Sequence, residues 1–188
     1  MPLAITLAQL AWPISRCLLL LEWMVWAGQH AAVQQYVRLL QPWCEWNSFS
    51  RKFLLGVSLL NQGEAGKAAQ LLVGAMEGVL TEDFLGVRVA GGAPDTLPDQ
   101  LRITYCLRVV RLLEQAGQPA LALHVAQQGV AVAAPQEPAL AALYSVVFKH
   151  ELDLHHHDEA FTALLACPDP QRRRDCLRQL VVALHDRR

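Results

Sequence analysis

Charged and aromatic residues are scarce in this sequence, at 18% and 7%, and isoleucine and valine together number only 20 of 188. Strands favour β-branched and aromatic residues, so their scarcity counts against a sheet protein. The formal net charge is −1, which leaves no global field to draw in nucleic acid or an anionic membrane. The five cysteines (Cys17, Cys44, Cys106, Cys167 and Cys176) form no CxxC pair and are odd in number. No secretory signal precedes them, so they read as reduced core thiols of an intracellular protein. No G-x-S-x-G and no phosphate-binding loop occurs, which removes the commonest sequence signs of a hydrolase or a nucleotide-binding enzyme. No apolar run is long enough for a membrane. The longest, residues 14–27 (ISRCLLLLEWMVWA), contains Arg16 and Glu22 and falls short of the ~20 residues a span needs. It also lacks the basic flank of a signal peptide, so it is expected to be a buried helix.

What the sequence does hold is leucine and alanine, 33 and 26 residues, or 59 of 188. Both rank high in helix propensity, so the expected class is all-α. This much apolar surface can offset chain entropy, which excludes intrinsic disorder, and a chain of this length buries about 70% of its unfolded surface. The mean hydropathy of +0.22 is high for a soluble helical domain. It suggests that some apolar surface is covered from outside the chain.

Four segments align on one pattern: residues 27–42 (AGQHAAVQQYVRLLQP), 62–77 (QGEAGKAAQLLVGAME), 116–131 (AGQPALALHVAQQGVA) and 154–169 (LHHHDEAFTALLACPD). Each carries a turn residue, Gly28, Gly63, Gly117 or His155. Five positions later comes a small or apolar residue, Val33, Ala68, Ala122 or Ala160. Four further on lies Val37, Leu72, Ala126 or Leu164. The turn residue ends a first helix in the left-handed conformation that glycine adopts easily. The five- and four-residue steps then place small side chains on the face of a second helix that packs on the first. The sequence thus predicts an irregular α-solenoid of stacked helix-turn-helix pairs. Residues 53–75 also match tetratricopeptide spacing through Leu55, Gly56, Leu59, Ala68, Leu72 and Ala75. The turn positions are offset by 35, 54 and 38 residues (63 − 28, 117 − 63, 155 − 117), which suits a divergent solenoid with inserted loops better than a regular array.

About ten helices are expected, near 3–11, 14–27, 30–40, 48–61, 64–80, 99–116, 119–132, 138–153, 158–166 and 171–185, with prolines at many boundaries. Residues 86–98 (GVRVAGGAPDTLP), with three glycines and two prolines, read as a mobile loop. Otherwise residues 1–188 read as a single solenoid segment. Window 77–99 carries five acids and one arginine, net −4, and window 171–188 carries six arginines and two aspartates, net +4.

Few constellations suggest chemistry. His155, His156 and His157 are consecutive on a proposed turn, where side chains diverge, whereas a zinc site needs ligands converging from spaced positions. They read as a polar inter-helix turn. His150 and His155 lie five apart, one too many for the i, i+4 pair of HExxH. Cys167 and Cys176 have Arg172–Arg174 nearby but read as packing residues. Arg172, Arg173 and Arg174, with Arg178, Arg187 and Arg188, lack interleaved aromatics; they form a solvated helix face or a contact with an acidic partner. All five tryptophans (Trp12, Trp23, Trp26, Trp43 and Trp46) fall in the first 46 residues. They either pack between helices or anchor a hydrophobic partner interface. Trp43 and Trp46 join the arginines as candidate partner contacts. No cofactor, metal or small-molecule substrate is expected.

Several blocks resemble a known family. Residues 40–47 (LQPWCEWN), 53–56 (FLLG) with Gly63-Glu64, 148–154 (FKHELDL), 159–164 (EAFTAL), 168–170 (PDP) and 175–184 (DCLRQLVVAL) are similar to the helical region of the 160-kDa nucleoporin family, over roughly residues 38–186. The resemblance implies a structural subunit of the Y-shaped scaffold complex of the nuclear pore. Its partners would be other nucleoporins at the nuclear envelope, and its roles pore assembly, nucleocytoplasmic transport and mRNA export. The family pairs a β-propeller with a long α-solenoid and has no catalytic residues to carry over. The missing propeller and the stop at Arg188 suggest a fragment whose helices are covered by more solenoid at both ends. His155 stands where the family tends to have glycine. The alternative expectation is a tetratricopeptide-like adaptor that binds a partner's peptide.

Overall fold

The structure, a computed structural model, describes residues 18–42, 45–93, 95–134 and 137–185. Among these residues the secondary structure is entirely helical: α1 Leu18–Trp26, α2 His30–Leu40, α3 Ser48–Asn61, α4 Ala65–Ala75, α5 Pro98–Gln115, α6 Pro119–Val132, α7 Leu140–Asp153, α8 His157–Ala166 and α9 Pro170–His185. A 3-10 turn (Met76–Leu80) and a π-helical turn (Phe84–Val89) follow α4. The fold is the expected all-α solenoid of helix pairs. The helix expected at 3–11 lies outside the described residues.

The chain divides into two compact units, Met1–Arg88 and Val89–Arg188, where the sequence suggested one segment. In the first unit α1 pairs with α2 and α3 with α4. Leu21, Val33, Leu72 and Leu85 are fully buried at its core. In the second unit α5 pairs with α6 and α7 with α8, and α9 closes the unit against α8 and α7. Its core is built on Ile103, Val109, Leu113 and Leu143.

Two local expectations differ from the structure, and both differences lie between the second and third pairs. The helix expected over 64–80 is α-helical only to Ala75 and tightens into the 3-10 turn. The reason is steric. Gly78 lies so close to α3 that an added Cβ would sit 2.2 Å from the Phe49 Cβ. The loop expected over 86–98 is helical in its first four residues, because the Glu82 carbonyl accepts from the Leu85 and Gly86 N–H groups and starts the π-turn. There Gly86 passes the Val79 carbonyl at a distance that would bring a Cβ to 2.7 Å. Of the described residues in that loop, only 90–93 and 95–97 are irregular. These inserted turns produce the long middle offset between repeats.

Proline begins α5, α6 and α9, where its missing N–H costs nothing. Asp169 caps α9, accepting the Gln171 N–H at 2.8 Å. The cap of α3 comes from far along the chain: Glu82 accepts the Phe49 N–H at 3.0 Å and the Ser50 N–H at 2.7 Å, and it also takes the Ser50 hydroxyl.

Candidate interaction surfaces

Four nearly identical turns connect the paired helices. Gly28, Gly63, Gly117 and His155 have φ of 69°, 83°, 69° and 64°. Each N–H donates three residues back, to Val25, Leu60, Glu114 and Leu152 respectively. The next N–H, of Gln29, Glu64, Gln118 or His156, donates five residues back, to Met24, Leu59, Leu113 or Glu151. This is the Schellman arrangement, which satisfies the last carbonyls of a helix. The residue making the second bond is also the N-cap of the following helix. Its carbonyl accepts the N–H of Val33, Ala68, Ala122 or Ala160. Those four residues have zero exposed surface. Each turn thus ties the first backbone bond of the second helix to a fully buried side chain.

Small residues set how closely the helices approach. A Cβ on Gly56 of α3 would stand 2.9 Å from the Leu72 Cγ and 3.3 Å from the Ala68 carbonyl of α4. On Gly129 of α6 it would meet Leu143 of α7 at 2.9 Å and the Cys106 Sγ of α5 at 3.0 Å. Sequence patterning pointed to the alanines and, through the tetratricopeptide spacing, to Gly56, but missed Gly129, whose position inside a helix gave no turn signal.

The fourth turn departs from the others in chemistry. Met24, Leu59 and Leu113 are apolar at the position where Glu151 stands. Glu151 is buried, yet it accepts from Gln127 Nε2 at 3.0 Å and lies 2.9 Å from His156 Nδ1. One residue earlier, buried His150 brings Nε2 to 3.1 Å from Glu114 Oε1. Glu114 also binds Lys149 Nζ at 2.9 Å, and this bond holds its carboxyl below the usual carboxylate range. The three histidines of this region do not converge. His156 turns to Glu151, and the rings of His155 and His157 stand 6.2 Å apart. Among the described residues no group of three or more His, Cys, Asp or Glu is placed to hold a metal ion.

Cys106, Cys167 and Cys176 are buried and stand outside any disulfide. Burial pushes Cys106 up to about 12 and raises Cys176, so neither is a ready nucleophile. Cys17 and Cys44 lie outside the described residues.

The tryptophans turn outward. Trp23, Trp26 and Trp46 are 63%, 84% and 57% exposed, which removes the core-packing reading for these three; Trp12 and Trp43 lie outside the described residues. Arg172, Arg173 and Arg174 are exposed on α9. Arg172 reaches Asp169 at 3.4 Å and the Ser145 hydroxyl at 3.3 Å. Arg173 and Arg174 have no ion-pair partner among the described residues. Their neighbours Leu177, Val181 and Leu184 are exposed apolar side chains on the same helix. Among the described residues no helix is long and apolar enough to cross a membrane.

Comparison with known proteins agrees with this repeat geometry. Residues 12–188 match the family described as NUP160/120 middle TPR. The chain is 36% identical over 192 residues to the Nuclear pore complex protein Nup160 homolog of Drosophila melanogaster, covering 94% of this chain. It is 39% and 38% identical over 183 residues to the Nuclear pore complex protein Nup160 of Homo sapiens and of Mus musculus, covering 96% of this chain in each case. It spans only 14%, 12% and 13% of the lengths of those relatives.

Proposed function

The chain belongs to the NUP160/120 middle TPR family, and from that premise we propose that it is a scaffold segment of a nuclear pore complex protein at the nuclear envelope, acting through contacts with other nucleoporins. The observation that carries the proposal is the similarity to Nup160 of fly, human and mouse across nearly the whole chain. The geometry is suited to such a role. Left-handed turns and zero-exposure small residues make stiff helix pairs within each unit, while α1 and α9 present apolar and aromatic side chains outward. Membership of the Y-shaped complex, and through it a part in pore assembly and in protein and mRNA transport, is the finer form of the proposal.

The experiment is affinity purification and imaging of the tagged full-length protein, with and without the segment that residues 1–188 form. Loss of nuclear-rim signal, and of co-purifying Y-complex subunits, on removing the segment supports the proposal. Unchanged recruitment overturns it for this segment.

A further inference from the structure

Within the first unit lies an open cleft of about 700 Å³. Trp46, Phe84 and Leu18 give it apolar walls, and Glu45, Glu82 and Asp83 make it acidic. The three carboxylates differ in what they can still do. Both oxygens of Glu82 are taken up at the start of α3. Glu45 and Asp83 are exposed and make no ion pair with any described residue. Nearby cations are already engaged: Arg51 donates to the Trp46 carbonyl, and Arg88 binds Glu22. The cleft therefore combines an exposed indole with two carboxylates that have no described counter-ion.

The same unit shows what such a combination holds. The Arg88 guanidinium lies 5.6 Å from the centre of the Phe84 ring and grips both oxygens of Glu22, at 2.8 and 3.0 Å. A planar guanidinium satisfies ring and carboxylate together, because it stacks on π-faces and forks onto carboxylates. We propose that the cleft receives an arginine side chain from a basic segment of a partner protein, stacked on Trp46 and paired with Glu45 and Asp83. The negative field at the cleft turns away phosphate-bearing ligands, so nucleic acid is not the occupant. The proposal rests on the scaffold reading and deepens it by naming the chemistry of one partner.

The test is titration of the ¹⁵N-labelled 188-residue chain with the peptide acetyl-Ala-Arg-Ala-Arg-Ala-amide, alongside the same peptide with citrulline for arginine. The expected result is a saturable shift of the Trp46 indole N–H and of the amides at 45–47 and 81–84. Trp46→Ala should weaken binding about tenfold, and Glu45→Gln with Asp83→Asn about fivefold. Citrulline keeps the shape of arginine and removes its charge, so it tests the pairing without altering the protein. Absence of saturation overturns the proposal, as does equal binding of the citrulline peptide or shifts spread equally over other surface acids such as Asp158 and Glu159. The titration needs no pore subunit, so its failure leaves the scaffold reading standing, and failure of the recruitment experiment leaves the titration intact.

Discussion

A buried alanine at a helix contact acts as a spacer, so its size matters more than its polarity. Ala68 and Ala122 have no exposed surface, and their N–H groups make the first hydrogen bond of their helices. Changing either to leucine should lower stability by about 1–3 kcal/mol through overpacking. Urea unfolding measures this, and an unchanged midpoint would show that the helix in question does not pack on that face. Cys106 gives a second residue-scale prediction. Burial raises its thiol from an ordinary 9.0 to about 12 and, with Cys106 close by, raises the Tyr105 hydroxyl as well. Above pH ~9 the unfolded chain loses protons that the folded chain keeps, so stability is full below that pH and falls as pH rises toward ~12. The urea midpoint should drop between about pH 7 and about pH 10, and Cys106→Ala should flatten part of that drop, leaving the share due to Tyr105.

The paired turns show how much of each element can be read from residue type. Three turns were legible because glycine is the residue that takes positive φ without strain. The fourth was legible only through alignment with the other three, since His155 carries no glycine signal yet has φ of 64°. His155→Gly should therefore stabilise the chain by about 0.5–1 kcal/mol, the relief of left-handed strain less the entropy glycine adds to the unfolded state. A thermal melt reads the sign, and a lower midpoint would mean that the imidazole supports the turn. The Glu82 cap could not be read at all. Its partners on α3 lie 32 and 33 residues earlier, and no local pattern links an acid to a helix start so far away. Losing it should cost about 0.5–2 kcal/mol, so Glu82→Ala should fray α3. Hydrogen exchange would show this as faster exchange at Phe49 and Ser50. The π-turn was equally hidden: the glycines and prolines around it look like loop residues until Gly86 is seen against the Val79 carbonyl.

At the scale of the whole molecule, the sequence revealed an apolar surplus but not its location. The five- and four-residue steps from each turn identified the inner faces of the second helices, yet α1 is apolar around nearly its whole circumference, and such a pattern cannot say which side meets the core. The structure buries Leu21, Met24 and Val25 and leaves Leu19, Trp23 and Trp26 facing outward. On α9 it buries Cys176 and Leu180 and leaves Leu177, Val181 and Leu184 uncovered. Uncovered apolar faces of this kind, at the two ends of the described chain, are a drive to associate. Expressed alone, the chain should be strongly helical by circular dichroism, and its mass by sedimentation should rise with concentration. Trp26→Glu combined with Val181→Glu places a charge on each face without touching the core, so it should shift the sedimenting species toward monomer while leaving the helical signal intact. If the parent chain is monomeric at every concentration, neither face is sticky enough to serve as an interface, and the contacts that the proposed scaffold role requires must be sought elsewhere on the surface.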